Sequence, residues 1–186
     1  MIGFGDLRRG IVIELDGSPW QILEYQHNRM QKRAPILTLK LRNLSSGHVV
    51  ERNFPGDRKL TLAAIENRQA QYIYQDEELH YFMDLETYDQ FPLKKEQLGN
   101  ALNYLSDQLT LGIVFYQGSP LTVELPIFVE LSVADTPPGF KGDTAQGGTK
   151  PASLETGLTL QVPMFINPGD RVRVDTRTGQ YLERSG

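Results

Sequence analysis

Apolar residues alternate with polar ones from the start of the chain. Ile11, Ile13 and Leu15 share one face of an extended segment, and period-two alternation is the signature of a half-buried strand. Asp16-Gly17-Ser18-Pro19 supplies turn chemistry before Trp20, Ile22 and Glu24, which predicts a hairpin. A third strand is predicted over 36–42, where Leu37, Leu39 and Leu41 oppose Thr38, Lys40 and Arg42; Asn43-Leu44-Ser45-Ser46-Gly47 then turns the chain into Val49–Phe54. Four short strands over about 45 residues predict a small SH3-like barrel. Pro55-Gly56 breaks the pattern and opens a connection over 55–64.

Alternation returns at Gln71-Tyr72-Ile73-Tyr74 and, after an Asp76-Glu77-Glu78 turn, at Leu79–Asp84. Pro92 followed by Leu98, Ala101, Leu102 and Leu105 has three- and four-residue spacing, which predicts a helix with Pro92 in its first turn. Strands follow at Leu111–Tyr116 and Leu121–Leu125, around Gln117-Gly118-Ser119-Pro120. A helix between strands of a five-stranded barrel is an OB-fold habit. The last segment begins at Val129–Ala134, breaks at Asp135-Thr136-Pro137-Pro138-Gly139, and loops to Pro151 through Gly, Thr and Lys. Leu158, Leu160, Val162, Val172 and Val174 restore the alternation, and the Asp175–Gly179 turn shares its spacing with Asn43–Gly47. The fold class is all-β, with domains expected at 1–62, 63–128 and 129–186.

Between the second and third strands, His27 to Pro35 is too long for a two-residue turn. Its tip carries Arg29, Lys32 and Arg33 and no anion, with Met30, Gln31 and Ala34 between and after them. The whole chain has a net charge of −4, but residues 1–60 carry +4, residues 61–128 carry −7, and residues 129–186 carry −1. Such asymmetry would orient a protein on a polyanion, the first segment toward phosphate and the middle away from it.

The 186 residues include no cysteine, which excludes disulfides and thiolate zinc sites and fits a reducing compartment. The N-terminus lacks a signal pattern and no apolar run approaches the roughly 20 residues that span a bilayer; a cytoplasmic monomer without a membrane partner is expected. Gly142 to Lys150 superficially resembles a phosphate-binding loop, but Lys150 precedes Pro151 rather than opening a helix. His27, His48 and His80 are scattered, and no nucleophile motif is present. No catalytic residue, metal or cofactor is expected, so the chain is read as a non-enzyme.

Lys150-Pro151-Ala152-Ser153-Leu154-Glu155-Thr156-Gly157, continuing through Val162-Pro163-Met164-Phe165-Ile166, Gly169-Asp170, Val174-Asp175-Thr176 and Gly179-Gln180-Tyr181, resembles the signature of bacterial elongation factor P. Tyr72-Ile73-Tyr74, Phe82 to Tyr88 and Lys40 to Leu44 resemble other stretches of that family. The resemblance implies three β-barrels in an L comparable in shape to tRNA, an SH3-like (KOW-like) domain and two OB-fold domains. It implies binding to the 70S ribosome, through its rRNA, beside P-site peptidyl-tRNA, and relief of stalling on consecutive prolines. Aligned through Gln26-His27 and Lys40-Leu41, the family's functional lysine, often modified by a dedicated enzyme, falls on Lys32. Arg8, Arg9 and Arg42 become candidates for RNA backbone contact. Gly142-Asp143-Thr144 matches a loop near the small subunit and the E-site mRNA codon. The tip itself departs from the family: Met30-Gln31-Lys32-Arg33 stands where Pro-Gly-Lys-Gly is usual. Two alternatives stay open: a paralogue with another stalling specificity, and a general RNA-binding OB protein. Against the second, Tyr72, Tyr74, Tyr81 and Phe82 lie in the most acidic third.

Overall fold

The computed structural model describes residues 1–28, 34–139 and 147–186. In the first sheet, β1 (Val12–Leu15), β2 (Ser18–Asn28), β3 (Ile36–Asn43), β4 (Val49–Pro55) and β5 (Thr61–Leu62) are arranged β4-β3-β2-β1-β5. β1 and β2 meet through Asp16 and Gly17, both at positive φ, 52° and 72°, the backbone of a two-residue turn that matches strand twist. Ser18 and Pro19 therefore belong to β2 rather than to the turn. The alternation sends Ile13, Ile22, Leu37, Leu39 and Leu41 into one core with Leu7, Trp20 and Phe54, each buried aliphatic side chain stabilising by about 1.5–3 kcal/mol.

The second sheet has the order β10-β9-β6-β7-β8, from β6 (Ile65–Gln75), β7 (Leu79–Asp84), β8 (Gln90–Lys94), β9 (Thr110–Tyr116) and β10 (Ser119–Glu124). Gln117 and Gly118, at φ 51° and 78°, repeat the turn of Asp16-Gly17, again followed by Ser-Pro. The predicted helix is corrected here. Pro92 lies in β8, an edge strand, where a missing N–H costs no ladder bond. The α-helix is only Lys95–Leu98, and Gly99–Tyr104 continues it as a 3-10 helix.

The third sheet runs β13-β12-β11-β14-β15, from β11 (Phe128–Asp135), β12 (Thr149–Leu154), β13 (Thr159–Pro163), β14 (Arg171–Asp175) and β15 (Gln180–Ser185). β13 and β15 approach each other at its ends. Val129, Leu131, Val133, Leu154, Val162, Val172 and Val174 fill its core.

One five-residue turn recurs once in each sheet. Asn43 Oδ1 accepts from the N–H groups of Ser45 and Ser46 at 2.8 and 2.9 Å, Asp84 Oδ1 from Glu86 and Thr87 at 2.8 and 3.0 Å, and Asp175 Oδ1 from Arg177 at 2.8 Å. In each, the fifth residue donates its N–H back to the first carbonyl and takes positive φ: Gly47 at 77°, Tyr88 at 61°, Gly179 at 72°. By contacts the chain forms two compact units, one of residues 1–68, 93–99 and 113–122, the other of residues 69–92, 100–112 and 123–186.

Candidate functional site

The β2–β3 hairpin is longer than its apolar pattern. Its pairing continues through Tyr25↔Leu39 and His27↔Leu37 to Asn28↔Ile36, although Glu24 to Asn28 are all exposed. Backbone pairing makes this half a strand, and β4 supports it from the other side through Leu37↔Phe54 and Ile36↔Pro55. Beyond the last pair, Gly56 N–H donates to the Pro35 carbonyl at 2.8 Å. A Cβ at Gly56 would meet Pro35 Cγ at 2.5 Å and its carbonyl oxygen at 2.6 Å. Gly56 is thus required by close approach, and Pro55-Gly56, read above only as a breaker, clamps the root of the hairpin end. The His27 ring of β2 meets the Phe4 ring, in a 3-10 turn at Phe4–Asp6, at 5.9 Å between centroids.

Ala34 is exposed just past this end; Arg29, Met30, Gln31, Lys32 and Arg33 lie outside the described residues. Arg8 donates to the carbonyls of Leu7 at 2.7 Å and Gly5 at 3.3 Å, and Arg9 is exposed. Arg42 is drawn into a different contact: its Nη2 donates to the Glu96 carbonyl at 3.2 Å, and its guanidinium lies 2.7 Å from where a Cβ on Gly99 would stand. A guanidinium carries five N–H donors, so this bond leaves others for a ligand. Lys40 pairs with Glu24 at 3.6 Å and Arg52 with Asp16 at 2.9 Å, which takes two further cations of the first segment into local pairs.

Gly142, Asp143 and Thr144 also lie outside the described residues, but both roots of their loop are described. Thr136 Oγ1 donates to the Pro151 carbonyl at 2.9 Å, and Lys150 Nζ donates to the Pro137 carbonyl at 2.6 Å. Lys150 is 4% exposed, an unusual place for an ammonium, and among the described residues no carboxylate is paired with it. The sequence places Lys150 in the loop that runs to Pro151; instead it lies in β12, and its partner is thirteen residues earlier. At the nearby turn, the Arg177 guanidinium holds the Asp175 carboxyl below the usual carboxylate range, helped by the Arg177 N–H. Backbone N–H donors from Leu79 and Glu78 do the same for Asp76. Among the described residues no group of three or more His, Asp or Glu is placed to hold a metal ion, and no helix is long and apolar enough to cross a membrane.

Residues 4–60 match the family model described as the elongation factor P (EF-P) KOW-like domain, residues 65–123 the elongation factor P OB domain, and residues 129–184 elongation factor P, C-terminal. With three five-stranded sheets, these matches define an all-β translation factor built from KOW-like and OB domains. Across 184 residues the chain is 51% identical to elongation factor P of Carboxydothermus hydrogenoformans, covering 99% of this chain and 100% of that protein. It is 47% identical to elongation factor P of Thermodesulfovibrio yellowstonii, covering 99% and 98%. The chain belongs to the elongation factor P family of translation elongation factors. Among solved structures, a eukaryotic translation initiation factor 5A from Methanococcus jannaschii is 18% identical, with a TM-score of 0.49 over 66% of this chain and 92% of that one.

Proposed function

We propose that this chain binds the 70S ribosome beside P-site peptidyl-tRNA and stimulates peptide-bond formation at stalls such as consecutive prolines, with Lys32 directed at the acceptor end. The carrying observation is the β2–β3 hairpin, braced by β4 and clamped at Pro35–Gly56, whose end bears Arg29, Lys32 and Arg33 on a +4 segment. Peptide-bond formation is the ribosome's own chemistry. A factor accelerates it by ordering a poorly placed reactant, which needs positioning contacts and no catalytic group. Cations near the acceptor end contact phosphates and 2′-hydroxyls and hold the tRNA in register.

In this reading the boundaries fall near residues 62 and 128, as the sheets and the three matched ranges favour. Arg8, Arg9 and the remaining donors of Arg42 meet RNA backbone, and Gly142-Asp143-Thr144 reaches the small subunit at the E-site codon. The protein works as a cytoplasmic monomer, without cofactor or turnover of its own. Met30-Gln31-Lys32-Arg33 presents more charge and less backbone freedom than Pro-Gly-Lys-Gly, so Arg33 shares the work of Lys32 and a lysine-modifying enzyme must accept a different loop. This tip also favours a second reading, a paralogue tuned to other stalls.

Lys32→Ala should remove most stimulation of Pro-Pro-Pro synthesis in reconstituted translation, and Lys32→Ala with Arg33→Ala the remainder, while folding is unchanged. Full relief by the double variant would make the tip a passive turn. Running non-proline stalls in parallel separates the two readings, and the intact mass of protein from its host reports modification of Lys32.

A further inference from the structure

Strand β1 is apolar on both faces. Ile13 and Leu15 enter the core of the first sheet, so the two-residue period turns Val12 and Glu14 to the opposite face. Val12 is buried there all the same, because it packs in a separate cluster with Leu44, Ala63, Tyr116 and Leu121. Val12 and Leu44 belong to the residues matched as KOW-like, Tyr116 and Leu121 to those matched as the OB domain. Beside this cluster the Tyr116 hydroxyl donates to Glu14 Oε2 at 3.0 Å. That bond, reinforced by burial, raises the Tyr116 hydroxyl above the usual phenol range, so Tyr116 keeps its proton and remains the donor. β9 carries the matching mark: Ile113, Val114, Phe115 and Tyr116 are all buried, a run that a strand covered on one face does not need.

Both sides of this contact are braced. Gln97 Nε2 donates to the carbonyls of Pro120 and Leu121 at 3.2 and 3.1 Å, and Thr122 Oγ1 to the Gln97 carbonyl at 2.7 Å, which ties the helical turn Lys95–Leu98 to β10. The Glu96 carbonyl of that turn accepts from Arg42, and a Cβ on Gly47 would stand 2.9 Å from the same oxygen, so glycine is what lets the Asn43–Gly47 turn come this close. On the other side, β1 pairs with β2 from Leu15↔Ser18 to Val12↔Gln21, and β2 continues to Asn28 at the root of the hairpin end. At about 3.3 Å per residue, Asn28 lies about 23 Å beyond Gln21. A tilt of about 10° at the contact therefore moves the hairpin end by about 4 Å, whereas a displacement of about 1 Å can cost a positioned reaction on the order of 100-fold.

We propose that the contact of β1 with the β9–β10 hairpin is a joint that positions the hairpin end bearing Lys32 for relief of stalling, with Glu14 and Tyr116 as its positioning residues. The inference deepens the proposed function and rests on it for the role of Lys32. The apolar cluster supplies adhesion, which has no direction, and the Tyr116–Glu14 bond supplies register, because its geometry is narrow. Both residues act through β2, by restricting where the tip can stand. A loosened joint lowers the fraction of bound factor whose tip is in place, and so the maximal rate, without changing the concentration at which the factor saturates.

The test follows Pro-Pro-Pro synthesis in reconstituted translation while the concentration of full-length factor is varied. Glu14→Ala and Tyr116→Phe should each lower the maximal rate roughly two- to ten-fold, the factor lost with one hydrogen bond, at an unchanged half-saturating concentration. The two substitutions together should cost no more than either alone, since they remove the same bond, and Glu14→Gln, which keeps an oxygen acceptor, should stay near wild type. The sequence has no cysteine, so Glu51→Cys and Ser119→Cys, both at exposed positions, place one spin label on each side of the joint. The distance distribution between the labels should broaden with Glu14→Ala and with Tyr116→Phe, and stay narrow with Glu14→Gln. An unchanged distribution, a broadened one with an unchanged maximal rate, additive losses in the double variant, or a raised half-saturating concentration at full maximal rate overturns the proposal. Lys32→Ala with Arg33→Ala is read beside these variants. Full relief by that pair sinks the proposed function and the joint's role with it, whereas lost relief there with full activity of Glu14→Ala removes the joint alone.

Discussion

Tyr88 occupies the fifth position of a turn that elsewhere carries Gly47 and Gly179, all three at positive φ. A left-handed backbone costs a residue with a Cβ about 1–2 kcal/mol, and Tyr88 is 70% exposed, so little packing offsets this. Replacing it with glycine removes that cost but adds unfolded-state entropy of about 0.4–1 kcal/mol. Tyr88→Gly should therefore stabilise the protein by about 0.5–1 kcal/mol, seen as a higher urea midpoint; a lower midpoint would show that the ring makes compensating contacts. Asp175 gives the acid counterpart. Its folded pKa is depressed, first by the Arg177 side chain and then by the Arg177 N–H. Its contribution is complete above the unfolded pKa and disappears as pH falls through the folded value, which lies lower. Asp175→Asn should be less stable than wild type at pH 7, and the gap should close below about pH 4. A gap of constant size from pH 7 to pH 2.5 would show that the loss is one of turn geometry rather than charge.

The elements were legible where one face is apolar and obscure where both are polar. Leu37, Leu39 and Leu41 announce β3, and Val172 and Val174 announce β14, because a core on one side forces alternation. His27 and Asn28, read from the sequence as the start of the loop, carry no such mark, since that end of β2 is exposed and paired through its backbone. Pro92 misled for another reason: proline suits both a first helical turn and an edge strand, and only the pairing of β8 decides between them. The tip residue Lys32 was marked by family resemblance and charge, not by periodicity, while the clamp at the root of the hairpin end depends on Pro35 and Gly56 meeting across twenty-one residues of chain. Gly56→Ala should destabilise by about 1–3 kcal/mol, the cost of overpacking against a rigid ring and a carbonyl. If the clamp orients the tip, relief of proline stalling should also fall at temperatures where the variant is still folded. A folded Gly56→Ala with full activity would restrict the clamp to stability.

At the scale of the whole molecule, charge is distributed so that an acidic chain carries one basic segment. The net −4 conceals +4 over residues 1–60 and −7 over residues 61–128, and a polyanion would attract the first and repel the second. Within the first segment, Lys40 and Arg52 are paired with carboxylates, so in the proposed reading the attraction rests on Arg8, Arg9, Arg42, Arg58, Lys59 and the tip cations. Each phosphate neutralised releases counter-ion, giving a slope of log affinity against log salt of about −0.7 to −0.9 per contact. Affinity for ribosomes carrying peptidyl-tRNA should therefore fall with salt, and Arg8→Gln with Arg9→Gln should make the slope shallower by about 1.4–1.8 if both contact phosphate. Neutralising Glu77 and Glu78 in the acidic segment should leave the slope unchanged, since those carboxylates face no phosphate in this reading. The opposite result, an unchanged slope without Arg8 and Arg9 and an altered one without Glu77 and Glu78, would place the RNA against the central segment and reverse the orientation proposed for the factor.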